Sequence, residues 1–101
     1  MDYLLKALQC AWEEACVSEM VDILVEIAEG HLQHADRERA AEILALVIHY
    51  PMQSDTRRYA EALFTDLEAE LCPRTIWDAR ERALTITLDD MVTEILAEAA
   101  E

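Results

Sequence analysis

The middle third of the chain carries large and small residues at helical spacing in two blocks. Leu24, Ile27, Ala28 and His31 form the first, and Ala40, Leu44 and Val47 the second. A polar turn at Gln33 to Asp36 separates them, and Pro51 follows the second. Steps of three and four place each block on one face of a helix, and the proline pushes the residue before it out of the helical region. A helix–turn–helix unit of about 34 residues cannot bury its apolar face alone and must stack on neighbours. That requirement points to an all-α stack, and to a scaffold rather than an enzyme.

The remaining composition agrees with this reading. The chain has 101 residues, 53% of them hydrophobic, which is one domain's worth with enough apolar material for a core. One glycine and two prolines leave little for β-turns or long loops. Alanine, leucine and glutamate, all strong helix formers, dominate instead. With 22 acidic and 8 basic residues the net charge is −14. Phosphate-backbone binding needs lysine and arginine to release counterions, so direct nucleic-acid binding is not expected, nor is an anionic membrane surface. No stretch approaches the 18 or so apolar residues of a membrane span. The N-terminus lacks the basic and apolar regions of a signal peptide. Three cysteines, Cys10, Cys16 and Cys72, are too few and too scattered for a disulfide framework and fit a reducing cytoplasm. Two of the three are expected to be buried free thiols.

About six helices are expected. The first covers residues 2–16, with Leu4, Leu5, Leu8, Ala11, Trp12 and Ala15 on its stripe. Val17 and Ser18 break it, and Ser18 is the expected cap of a second helix over residues 19–34. That helix is apolar at Val21, Ile23, Leu24, Val25, Ile27, Ala28 and Leu32, too wide a stripe for one-sided packing. Gly30 within it implies close approach of a neighbouring helix. Asp36 caps a third helix reaching Tyr50, and Ser54 or Asp55 caps a fourth, with Tyr59, Ala62, Leu63, Phe64 and Leu67 inward. Pro73 suits the first turn of a short fifth helix, with residues 83–87 as a connector. Thr87, with Asp90 three residues on, caps the sixth, which buries Leu88, Met91, Val92, Ile95 and Leu96.

From Leu24 to Pro51 the spacing resembles a degenerate tetratricopeptide repeat. His31 stands where that family has tyrosine, Leu24 where it often has tryptophan, and Val47 where it prefers alanine. Leu8, Trp12 and Ala15 fall where the second helix of a preceding repeat would. Around Tyr59, Ala62 and Leu63 the order of large and small residues changes, and after Leu71 the period is lost. The chain from Ala7 onward also resembles the C-terminal tails of large bacterial signalling ATPases and of LuxR-like and maltose-regulator-like transcription regulators. Residues 36–44, 67–71 and 82–90 carry that likeness. The resemblance implies an α-solenoid of antiparallel helix pairs: one α-helical domain over 1–101, repeat-like over 1–71 and capped by non-repeating helices over 72–101. It also implies that an ATPase or DNA-binding module would lie elsewhere, since one glycine cannot build a phosphate loop and no basic recognition helix is present. Helix one, read as half a repeat, suggests a piece of a larger regulator.

Candidate chemistry is sparse. His31 and His34 lie one turn apart with Asp36 following, a spacing that can bind metal when further ligands converge. His31 is also a packing position, and His34 stands at a helix end where the dipole favours a positive side chain. Ser18 and Ser54 read as caps rather than nucleophiles. Carboxylate pairs such as Glu13–Glu14 and Asp89–Asp90 are too common among 22 acids to nominate a general acid and base. No cofactor and no catalytic residue is expected. Arg57, Arg58, Arg74, Arg80 and Arg82 are expected to pair with Asp66, Asp78 or Glu81 on neighbouring helices, the alternative being a patch at Arg57 and Arg58 that meets an acidic partner.

These readings converge on a non-enzymatic, cytoplasmic module for protein–protein contact or self-association. The alternative is a stand-alone acidic inhibitor or nucleic-acid mimic, which would need its carboxylates along one continuous face. For self-association the expected interface is helix one, where Leu4, Leu5, Leu8 and Trp12 form a stripe that helix two alone does not cover, giving a two-fold homodimer.

Overall fold

The computed structural model describes residues 2–34 and 36–100. Among these there are six helices and no strand: α1 (Asp2–Glu13), α2 (Val17–Gln33), α3 (Arg37–Val47), α4 (Ser54–Glu70), α5 (Pro73–Thr85) and α6 (Leu88–Ala100). Their boundaries follow from local chemistry. At the end of α1, Cys16 N–H donates to the Ala11 carbonyl and Ala15 N–H to that of Trp12, with Ala15 left-handed at φ 56°. This is a Schellman closure with alanine in the position glycine usually fills. It ends α1 at Glu13 rather than at residue 16. The next helix then begins at Val17, so Ser18 lies in its first turn. Cys16 holds the capping position and makes no side-chain capping bond.

Other ends match the sequence more closely. Arg39 N–H donates to Asp36 Oδ1 at 3.4 Å, so Asp36 does cap α3. Thr87 and Asp90 exchange bonds at the start of α6, Thr87 N–H to Asp90 Oδ2 at 3.0 Å and Asp90 N–H to Thr87 Oγ1 at 3.2 Å, forming a capping box. By contrast, α3 stops at Val47, three residues short of Tyr50. Arg57, from the first turn of α4, donates to the carbonyls of Ile48 and Tyr50, both at 3.0 Å, and so satisfies the turn that replaces the last helical residues. Gln53, not Ser54 or Asp55, precedes the first turn of α4. The fifth helix is not short: it runs 13 residues from Pro73 and absorbs most of the expected connector.

The centre of the molecule is α3. Ala40, Ala41, Ile43, Leu44, Ala45, Leu46 and Val47 are all buried, and a helix apolar on every side must be surrounded. It packs most extensively on α2 and α5, then on α4, and touches α6. The broad stripe of α2 (Met20, Val21, Leu24, Val25, Ile27, Ala28) is buried because α1, α3 and α4 all lie against it. In α4 the inward residues are Ala60, Phe64 and Leu67. Leu63 is half-buried, while Tyr59 and Ala62 face outward, a rotation from the expected stripe. Last in the chain, α6 folds back on α1 and α3 and buries Leu88, Met91, Val92 and Ile95. The radius of gyration, 12.6 Å, is that of a compact chain of this length.

Candidate interaction surfaces

Among the described residues the one buried charged side chain is Arg39 on α3, 8% exposed. A charge so placed must be paired. Its guanidinium donates to Glu94 Oε1 at 3.0 Å and Glu98 Oε1 at 2.8 Å, both on α6, with Glu42 3.8 Å away. Arg82 on α5 donates to Glu42 and to the second oxygen of Glu94. Five residues thus alternate in sign, Glu98, Arg39, Glu94, Arg82, Glu42, and join α3, α5 and α6. Burial pushes the Glu94 carboxyl up, but the Arg82 hydrogen bond and the Arg39 charge outweigh it, leaving it below the ordinary glutamate value. Hydrogen bonds to Glu94 and Glu42 hold Arg82 above the usual arginine value. This cluster is structural cement within the fold, and single positions in the sequence gave no sign of it.

The residues singled out from the sequence are distributed over several surfaces. On α1, Leu8 is fully buried, Leu4 and Leu5 are half-buried against the core, and Trp12 is 39% exposed. The stripe expected to stand open is therefore largely closed, because α6 packs where a preceding helix was missing. Arg57 is turned inward to the carbonyls after α3, with Glu61 3.8 Å away, whereas Arg58 is exposed and has no ion pair among the described residues. His31 is half-buried with Nδ1 3.6 Å from Asp36 Oδ2, and His34 is exposed at the end of α2. Among the described residues no three histidine, cysteine, aspartate or glutamate side chains gather as metal ligands.

None of the three cysteines is buried. Cys10 and Cys72 are exposed and Cys16 is intermediate, since the early end of α1 carries Cys16 out of the core. Cys72 precedes the first turn of α5, 3.1 Å from the Thr75 hydroxyl. That hydrogen bond, with the Thr75 backbone N–H second, pulls its thiol below the usual cysteine value.

Two surfaces were not anticipated. Between α2 and α4 a groove of about 410 Å³ is lined by Asp22, Glu26, Glu29, Asp55 and Tyr59. Hydrogen bonding to Glu29, with burial second, pushes the Tyr59 phenol above its usual value. The other is the outer face of α5. Ile76, Ala79 and Ala83 turn inward, so Trp77 and Leu84, seven residues apart, project outward at 57% and 75% exposure. The signal was present in the 3.6-residue period, since no single face of α5 can hold both Trp77 and Ala79. Exposed carboxylates occur on all six helices rather than on one face.

Compared with protein-family models, with curated proteins and with solved structures, the chain finds no match.

Proposed function

We propose that this chain is a non-enzymatic helical module for protein–protein contact or self-association, repeat-like over α1 to α4 and capped by α5 and α6. The observation that carries this reading is the set of large apolar side chains left outside a well-filled core, Trp77 and Leu84 above all, with Tyr3 and Trp12 on α1. Trp77 and Leu84 share one face of α5; exposed apolar residues grouped in this way mark contact surfaces on small chains, and tryptophan is among the residues most enriched at their energetic centres. The ordered packing of α1 on α2, α2 on α3 and α3 on α4, with α2 also meeting α4, supports a tetratricopeptide-like stack in that part. On the same footing, the chain is the helical-repeat part of a bacterial regulator acting in the cytoplasm. The spread of carboxylates around all six helices favours a solvated acidic shell over nucleic-acid mimicry.

Photo-reactive benzoyl-phenylalanine placed in turn at Tyr3, Trp12 and Trp77 in the intact chain tests the reading. Irradiation in bacterial cells is expected to give a discrete adduct, to a second copy or to another protein, from at least one position. Adducts from none of them overturn it.

A further inference from the structure

We propose that α5 is the face through which two copies of this chain pair, antiparallel about a two-fold axis at Trp77. The inference rests on the reading of the chain as an interaction module and names its partner and surface.

Charge selects the face. Two chains of net charge −14 repel unless they meet where the local charge is balanced. On α2 the acids Glu19, Asp22, Glu26 and Glu29 stand without a lysine or arginine, and on α6 Asp89, Asp90, Glu94 and Glu98 do the same. Acids also outnumber bases on α1 and α4 and balance them on the buried α3. Only α5 carries more bases than acids, Arg74, Arg80 and Arg82 against Asp78 and Glu81, and with Arg82 turned inward to Glu42 and Glu94 its outer side is balanced, two against two. It also carries the exposed Trp77 and Leu84. The least repulsive helix therefore also carries two large exposed apolar side chains on one face.

Geometry then sets the register. Arg74 lies three residues before Trp77 and Glu81 four after it, both on the outward side of α5. In an antiparallel pair centred on Trp77, a rise of about 1.5 Å per residue brings Arg74 of one copy level with Glu81 of the other to within about 1.5 Å. A two-fold axis across the helices keeps both residues on the same flank of the contact, so the pairing occurs twice. Trp77 meets its own copy at the centre, and Leu84 comes over the turn at Leu71 and Pro73 that opens the other α5. Arg74 is free to engage: its side chain is 82% exposed and held only by Asp78 at 3.4 Å. Glu81 is exposed and has no ion pair among the described residues. A single pair of 13-residue helices is a small contact, so the dimer belongs to the weak, concentration-dependent class. Screening the overall repulsion with salt strengthens it.

Sedimentation of the full chain from about 1 µM to 1 mM, in low and in 0.2 M salt, tests this together with a charge exchange. The apparent mass is expected to double across the series, at lower concentration in the higher salt. Arg74→Glu and Glu81→Arg are each expected to remain monomeric over that range, because each sets like charges opposite. An equimolar mixture of the two is expected to recover the doubling, since each copy then supplies what the other lacks. In Trp12→Phe, which leaves Trp77 as the sole tryptophan, emission is expected to shift to the blue as the mass rises. Circular dichroism melts of both charge variants check that loss of pairing is not loss of fold. If the native chain doubles while Trp77→Ser and both charge variants double equally well, the α5 interface is overturned and the interaction reading stands. If the native chain stays monomeric throughout, self-pairing itself is overturned, and the adducts described above decide whether a different protein is the partner.

Discussion

The seam between α2 and α3 and the seam that fixes α5 and α6 to α3 are built from different physics. On the first, Leu24, Ile27 and Ala28 close against Ala40, Leu44 and Val47, all at 0–1% exposure, with the ion pairs kept to the margin. Such a seam draws on apolar area and close packing. On the second, α5 contributes only Ile76, Ala79 and Ala83 to the buried set. Beside these and the buried Leu88, Met91, Val92 and Ile95 of α6, the seam carries the alternating cluster of Arg39, Arg82, Glu42, Glu94 and Glu98. Packing tolerates exchanges that conserve volume, whereas each pairing in the cluster needs a charge of the right sign at its place. The difference should appear in how each seam responds to mutation, salt and pH.

The largest effect is expected at the apolar seam. Leu44 is fully buried at the centre of α3, so Leu44→Ala removes both transfer energy and packing, about 2–5 kcal/mol. Urea unfolding should show that loss unchanged between low and high salt. A loss that grew or shrank strongly with salt would mean that the two seams are not separate.

Arg39→Ala comes next. Removing the only base that reaches Glu98 among the described residues leaves Glu94 with Arg82. Fully buried pairs lose about 3–5 kcal/mol when broken, but Glu94 and Glu98 are 33% and 54% exposed. Water therefore takes up part of the loss, and about 2 kcal/mol is expected. The deficit should narrow in 1 M salt, and Arg39→Lys should restore less than half, because an ammonium cannot hold two carboxylates as a planar fork does. A deficit independent of salt would assign Arg39 to the packing of its aliphatic stem instead.

Acid titration separates the seams further. The folded chain holds Glu94 below the ordinary value near 4.5, so the unfolded chain binds this proton more readily. Its contribution is thus fully present above pH 4.5 and is lost as pH falls through the folded value. Stability of the native chain minus that of Glu94→Gln should be about 1 kcal/mol at neutral pH, solvent screening of a partly exposed carboxylate limiting it. The difference should fade below pH 4.5. A difference that persisted undiminished at pH 3 would remove Glu94's ionisation from the account.

These two seams also mark what could be read from the residues. The all-α class, the six helices, the Asp36 cap and the Thr87–Asp90 box were legible because periodicity and capping act within a few residues. The cluster was not, since Arg39 and Glu98 are 59 residues apart and, with 22 acids in the chain, no sequence rule selects which of them pair. The closing of the helix-one stripe escaped for the same reason. That α6 would pack on α1 is a long-range fact, and the stripe alone does not report it. Arg57 was expected to pair with an acid on a neighbouring helix, whereas it serves two carbonyls. Trp77 and Leu84 were legible in phase, but their exposure depended on knowing that Ala79 faced inward.

The smallest predicted effect is a gain, at a joint remote from the ionic seam. Ala15 closes α1 in the left-handed region at φ 56°, where a Cβ costs about 1 kcal/mol that glycine avoids. The closing bonds from Ala15 N–H and Cys16 N–H are backbone bonds, so Ala15→Gly keeps them. Glycine's greater freedom in the unfolded chain offsets part of the relief. The net expectation is a stabilisation of about 0.5 kcal/mol, or a rise of roughly 2–4 °C in Tm. Combined with Arg39→Ala, the gain should add to the loss within about 0.5 kcal/mol, as for sites with no shared partner. Strong non-additivity would show that the α1–α2 joint and the α3–α5–α6 cluster are coupled through α6 packing on α1, and the comparison would then have to treat them as one unit.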